Sequence, residues 1–200
     1  MLDAAAPMLC AGVTIYSALR KSSAQLGDWV AIFGAGGGLG HLACQIASRG
    51  IGLRVISIDA GNKNGIPLEC GAKGKADEEV KKATGGLGAQ PVLVLTAANA
   101  AYASAMNLLK FGGTCVCVGL PESELKAIAT AYPQFLIAKA QTIRGVAVGN
   151  RKEVIETLQF VERGVVKTHF RTAKMEDLTN IFEQMDRGEL IGRVVLDLNA

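Results

Sequence analysis

Apolar positions along the chain follow two alternating patterns. Residues 29–33 (Trp-Val-Ala-Ile-Phe), 53–58, 92–95, 114–118 and 142–148 are short runs, mostly apolar and rich in β-branched residues. Such runs predict strands buried on both faces. Between them lie stretches of helical spacing. In residues 39–49, Leu39, Leu42, Ala43, Ile46 and Ala47 share one face, and residues 97–110 and 132–140 also read as helices. Gly50 is expected to stop the first of these and Gly112-Gly113 the second. Residues 3–20 read as a helix ahead of the first strand, residues 77–83 as a short one, and residues 85–88 as a glycine loop. After residue 148 come two amphipathic helices, 151–163 and 175–187, and a closing strand, 193–196.

Strands that alternate with helices predict an α/β fold, a doubly wound parallel sheet with right-handed crossovers. One link is missing. Between Asp59 and Gln90 no β-branched run marks a further strand, and only residues 66–70 and 77–83 read as short helices. The expectation is a five-stranded Rossmann sheet without its third strand, which leaves the strand before Asp59 as an edge. Three segments follow: 1–20 as a leading helix, 21–148 as the sheet domain, and 149–200 as a C-terminal tail.

Charge and composition narrow the function. A net charge of +3, with no Lys/Arg run longer than two and few aromatics, argues against nucleic acid. No apolar run approaches the ~18 residues of a membrane span, and no basic start precedes an apolar stretch as in a secretory leader. The five cysteines, Cys10, Cys44, Cys70, Cys115 and Cys117, show no CxxC spacing and read as reduced thiols of a cytoplasmic protein.

The candidate chemistry lies in Gly34-Ala35-Gly36-Gly37-Gly38-Leu39-Gly40, between the first strand and its helix. Such a loop aims backbone N–H groups and a helix N-terminus at an anion, and glycine lets a pyrophosphate come close. The strict G-x-G-x-x-G spacing is not met from Gly34, because position 39 is Leu; the workable glycines are Gly36, Gly37, Gly38 and Gly40. Asp59 ends the next strand, 19 positions beyond Gly40. A carboxylate about 20 residues on accepts hydrogen bonds from the adenosine ribose and repels a 2′-phosphate, which favours NAD over NADP. The bland alternative is a plain strand–turn–helix with a solvated Asp.

The other reactive side chains have bland readings of their own. Cys10 reads as a buried helix cysteine, and Cys115 and Cys117, two apart on a strand, as core residues on one face. Cys44 and Cys70 have no ligand partners at metal spacing. His41, in the first turn after the loop, either touches the cofactor or faces solvent. His169 reads as structural, and Lys81-Lys82 as a solvated helix face.

From Ala4 onward the chain resembles the zinc-dependent medium-chain alcohol dehydrogenases, most closely the yeast and fungal type. The stretches that carry the resemblance are Ala6-Pro7-Met8-Leu9-Cys10-Ala11-Gly12-Val13-Thr14-Ile15-Tyr16, Gly27-Asp28-Trp29-Val30-Ala31-Ile32, Gly37-Gly38-Leu39-Gly40, Val118-Gly119-Leu120-Pro121, Val148-Gly149-Asn150-Arg151 and Gly192-Arg193-Val194-Val195. The resemblance covers nearly the whole chain but only the second half of such an enzyme. It implies that Cys10 is one of three protein ligands to a catalytic zinc, the other two lying upstream of Met1. It also places Thr14 near the nicotinamide, Val118 and Leu120 as backbone partners of the carboxamide, Arg193 on a phosphate, and Lys63 beside the ribose. Residues 1–20 become a link from a missing catalytic domain, and residues 149–200 a remnant of that GroES-like domain. About ten residues usual in the crossover after Cys70-Gly71-Ala72 are absent.

The implied reaction is hydride transfer between a primary or secondary alcohol and NAD, with a small alcohol or aldehyde as substrate. The chain by itself is expected to be a truncated, inactive fragment. A stand-alone NAD(H)-binding module and a non-functional gene fragment remain open as alternatives. The family's dimers pair the edge strand at residues 142–148, so a homo-oligomer through that edge is expected, without membrane or nucleic-acid partners. The apolar face Leu178, Ile181, Phe182 and Met185 is expected to lack its usual cover.

Overall fold

The computed structural model describes residues 2–59, 76–121 and 125–198. Among these, strands β1 (Trp29–Phe33), β2 (Arg54–Ile58), β3 (Ala89–Val94), β4 (Leu109–Cys117) and β5 (Thr142–Gly145) form one parallel sheet in the order β2-β1-β3-β4-β5. The order reverses between β1 and β3, so a crevice opens there at the carboxyl ends of the strands. The expected α/β doubly wound sheet of five strands is what the described residues form. The helix expected at residues 66–70 and position Lys63 lie outside them; residues 76–83, by contrast, are helix α4 (Ala76–Ala83).

Strand alternation divides the core in two. Val30 and Ile32 of β1, with Leu93 and Val116, meet α2 (Ala11–Lys21), α3 (Gly40–Gln45) and α7 (Arg151–Glu162) on one face. Ala31 and Phe33, with Val92, Val94 and Cys115, meet α4 and α5 (Asn99–Ala105) on the other. Helix α6 (Pro133–Lys139) buries no residue, and β5 is exposed along its whole length. A second, two-stranded parallel sheet joins β6 (Phe170–Lys174) to β7 (Arg193–Asp197), with α8 (Leu178–Asp186) between them.

Several boundaries differ from the sequence pattern, each for a local reason. The leading helix breaks: α1 (Leu2–Ala5) passes into a 3-10 turn, Ala6–Leu9, and Cys10 leaves helical geometry before α2 begins. Pro7 in that turn has no N–H to continue the α ladder. Gly50 does not stop the helix after the glycine loop. The chain runs on as a π-helix, Ile46–Ile51, and Gly52 at φ +83° ends it. Gly50 instead lets a ring approach, since a Cβ there would lie 3.0 Å from Phe160 Cε1.

The helix expected to reach residue 110 ends as the 3-10 turn Met106–Leu108, and β4 runs through Gly112 and Gly113 with a register shift opposite Ala89 and Pro91. The fifth strand stops at Gly145, short of Val148, whose φ is +53°. Strand β6, with a single large apolar residue, had no sequence signal; it exists through its pairing with β7. The Asn150 side chain caps α7 in a reciprocal box with Glu153, at 3.0 and 2.9 Å.

Candidate functional site

The glycine loop sits at the carboxyl end of β1, beside the crevice. Gly34 leaves the strand at φ +80°, and the N–H groups of Gly34 and Ala35 both donate to Ile58 O, at 2.9 and 3.3 Å, which ties the loop to the end of β2. Gly37 N–H closes a turn on Gly34 O at 3.1 Å. Gly40 opens α3 against β1, where a Cβ would run into the carbonyl oxygens of Gly34 and Ala35. Gly40 therefore serves helix–strand packing, while Gly37 and Gly38 form the open rim, and the first turn of α3 closes back on it, the His41 N–H donating to Gly37 O at 3.1 Å. Leu39, half-buried, anchors the turn in the core.

Asp59 stands where the spacing put it. Its Oδ2 accepts the Gly36 N–H at 2.6 Å, so the carboxylate is fixed over the loop at the end of β2. Arg193, on β7, reaches the same loop from the opposite side: its Nε donates to Gly38 O at 3.3 Å. A Cβ at Gly38 would lie 2.8 Å from that Nε. Burial lowers the Arg193 pKa and the nearby Cys10 thiol acts against that shift; a guanidinium stays charged regardless.

His41 is neither cofactor-facing nor solvent-exposed: it is buried at 1% exposure. Its Nδ1 lies 3.2 Å from Gly37 O and its Nε2 accepts the His169 N–H at 3.3 Å. Burial pulls its pKa down to about 4. The His169 side chain is exposed while its backbone carries the contact, which agrees with a structural residue. Helical position alone could not show that His41 turns inward, because the groups that meet it, His169 and Arg193, come from far along the chain.

Two cavities flank the strand ends. One, of about 380 Å³, lies between Gly37, Gly38 and Arg193 and the apolar side of α8. The other, of about 550 Å³, is lined by Tyr102, Cys117, Val118, Gly119, Leu120 and neighbours beyond β4 and β5. Val118 N–H already donates to Val94 O at 3.1 Å, so further contact from Val118 is through its carbonyl. Tyr102 OH donates to Gly119 O and holds this turn; burial first, then the neighbouring thiols, push the tyrosine up to about 12. Leu120 projects its side chain outward. Cys115 and Cys117 share the α5 face as expected; the hydrogen bond between them, then burial, raises the Cys115 pKa.

The zinc-binding dehydrogenase family matches residues 38–163. The chain belongs to this family. Alcohol dehydrogenase 2 of Emericella nidulans is 52% identical over 98% of this chain, and the alcohol dehydrogenase of Schizosaccharomyces pombe is 39% identical over 99%. The chain spans 57% and 58% of those relatives' lengths. The first alignment covers 210 residues, more than the 200 of this chain, so that relative holds residues without a counterpart here. Among solved structures, the alcohol dehydrogenase of Aeropyrum pernix superposes with a TM-score of 0.83 at 26% identity, covering 98% of this chain and 58% of that one.

The family's name raises the question of zinc. Cys10 is exposed at the break between the 3-10 turn and α2, not buried in a helix as its bland reading had it. Among the described residues, no three His, Cys, Asp or Glu side chains gather as a metal site. One thiol does not make a catalytic zinc centre, which takes three protein ligands. Thr14 is buried behind it, its hydroxyl donating to Cys10 O at 2.6 Å. Among the described residues, the structure brings together the glycine loop, Asp59 and Arg193, while Thr14, Val118 and Leu120 stand apart from that loop and Lys63 lies outside the described residues.

Proposed function

We propose that these residues form the NAD(H)-binding half of an alcohol dehydrogenase. The observation that carries this reading is the Gly36–Asp59 hydrogen bond, which holds a carboxylate beside a glycine rim at the switch point of a parallel sheet, where this reading puts the ribose. The residues fit the cofactor. The rim of Gly36, Gly37, Gly38, Leu39 and Gly40 borders the pyrophosphate; the Gly36 and Gly37 N–H groups are held by Asp59 and Gly34 O, which shapes the rim, and Gly38 keeps the path open. Arg193 offsets its charge. Asp59 accepts from the ribose hydroxyls and rejects a 2′-phosphate; Lys63 is assigned beside it by resemblance. Thr14, with the backbones of Val118 and Leu120, borders the nicotinamide end. NAD, when bound, accepts a hydride from an alcohol carbon and in reduced form returns it to a carbonyl.

No step through zinc is derived, because Cys10 alone does not fit it; a role for Cys10 as ligand requires partners from outside these residues. The substrate class in this reading is a small primary or secondary alcohol or its aldehyde; the names of the relatives support an alcohol. The divisions at residues 20 and 148 follow from this reading: a leading segment at 1–20, the NAD-binding sheet at 21–148, and a tail at 149–200 that completes a catalytic domain. The exposed edge β5 suits pairing with a second copy. No described helix is long and apolar enough to cross a membrane, and reduced thiols fit a cytoplasmic setting.

A second reading, an NAD(H)-binding module without alcohol chemistry, is favoured by the isolation of Cys10. Titration with NADH and assay with ethanol and NAD separate the two. Saturable NADH binding supports both readings, and turnover with bound zinc supports only the first. Absence of NADH binding contradicts both.

A further inference from the structure

We propose that His41 is a positioning residue for the pyrophosphate cradle: its imidazole ties the glycine loop to the β6–β7 sheet and so holds Arg193 against Gly38. The inference rests on the dinucleotide reading above. Four contacts close a circuit. Gly37 O faces His41 Nδ1 at 3.2 Å, and His41 Nε2 faces His169 N–H at 3.3 Å. His169 O accepts Arg193 N–H at 3.0 Å, and Arg193 Nε returns to Gly38 O at 3.3 Å. A second lock lies at Gly192, whose φ is +72° and where a Cβ would sit 2.5 Å from His169 O. The strand carrying Arg193 is thus held close to the residue that His41 grips.

The circuit fixes the state of the ring. A carbonyl only accepts, so Nδ1 carries the hydrogen; an amide N–H only donates, so Nε2 offers its lone pair. Both demands are met by the neutral Nδ1–H tautomer alone. The groups facing the ring agree: the His169 ring at 5.7 Å and the Arg193 guanidinium both oppose a second positive charge, and only the Gly37 and Gly38 carbonyls favour one. Protonation would set a donor against the His169 N–H and open the circuit at that joint. The tie therefore holds at neutral pH and fails in acid.

The test uses ADP-ribose, which carries the pyrophosphate and both riboses without the acid-labile reduced ring, together with imidazole ¹⁵N and amide NMR of the chain. The spectra should show His41 as the Nδ1–H tautomer at pH 7. His41→Leu should weaken ADP-ribose about tenfold, the scale of one hydrogen bond from the misplaced Arg193 to a phosphate, and remove the fall in affinity expected of the unmutated chain as pH drops through about 4. His41→Gln, which can donate to Gly37 and accept from His169, should restore most of the affinity without the pH dependence. An Nε2–H or charged ring at pH 7 overturns the proposal, as does a Leu variant with unchanged affinity and pH profile. If the unmutated chain binds no ADP-ribose, the dinucleotide reading fails, and the tie is judged by whether His41→Leu shifts the Arg193 amide signal: a shift supports it, none overturns it.

Discussion

Strand β1 of the five-stranded sheet and strand β7 of the two-stranded tail are both five residues long, yet they are buried differently. Val30, Ala31 and Ile32 of β1 are 0% exposed, with helices over both faces. Every residue of β7 is partly exposed, and α8 buries only Ile181 while Phe182 and Met185 remain 56% and 54% exposed. Polar ties join the tail to the glycine loop and α3: Arg193 to Gly38, His169 to His41, and Gln45 to both backbone groups of Lys167 at 3.0 and 2.8 Å, beside the apolar seat of Val166 in the sheet core. The difference teaches that apolar periodicity reports a face in need of cover without naming the cover. In the sheet, the cover is the neighbouring helices of the same sequence. In the tail, the apolar side of α8 lines a cavity beside the glycine loop.

The largest effect that separates the two regions is a core truncation. Ile32→Ala should cost about 2–5 kcal/mol, the range for a buried aliphatic cut to Ala. Trp29, the only tryptophan and itself in β1, reports the transition in urea. Phe182→Ala should cost about 0.5 kcal/mol by the same measurement, the scale of a surface change. Equal losses would show that the tail is as tightly packed as the sheet.

The joint between the regions titrates. Unfolded, His41 takes its proton near pH 6.5; folded, it does so near 4. Between those values the unfolded chain holds a proton that the folded chain lacks. Stability is therefore fully present above pH 6.5, falls as pH drops toward 4, and levels off below it, by about 3 kcal/mol in all. Urea midpoints measured across that window should show the fall, and His41→Gln should flatten it.

Much of this was legible in the sequence because burial on two faces leaves a strong trace. The runs at Trp29–Phe33 and Arg54–Ile58, the loop between Gly34 and Gly40, and the acid at Asp59 all stand where pattern and spacing put them. What escaped was set by tertiary contact. Strand β6 has weak patterning of its own, and His169 and Arg193 lie far along the chain from His41, so the circuit through His169 to Arg193 was invisible. Gly50 looks like a stop in sequence, but Phe160, 110 positions away, decides its role. Cys10 has the spacing of a helix residue, yet the turn through Pro7 brings it to the surface.

A smaller effect sharpens the cofactor assignment. Asp59→Gly should weaken NADH about tenfold, the worth of a lost hydrogen bond to a charged acceptor, and should gain affinity for NADPH as the repulsion is removed. Asn150→Ala should cost about 1 kcal/mol through the α7 cap, without change in cofactor preference.

The central claim is that these residues hold NAD(H) through the glycine rim and Asp59. The most direct measurement is a fluorescence titration of the unmutated chain with NADH and with NADPH at pH 7. Saturable binding of NADH, at least tenfold tighter than NADPH, is the predicted result; equal affinity for the two, or no binding of either, would contradict the account.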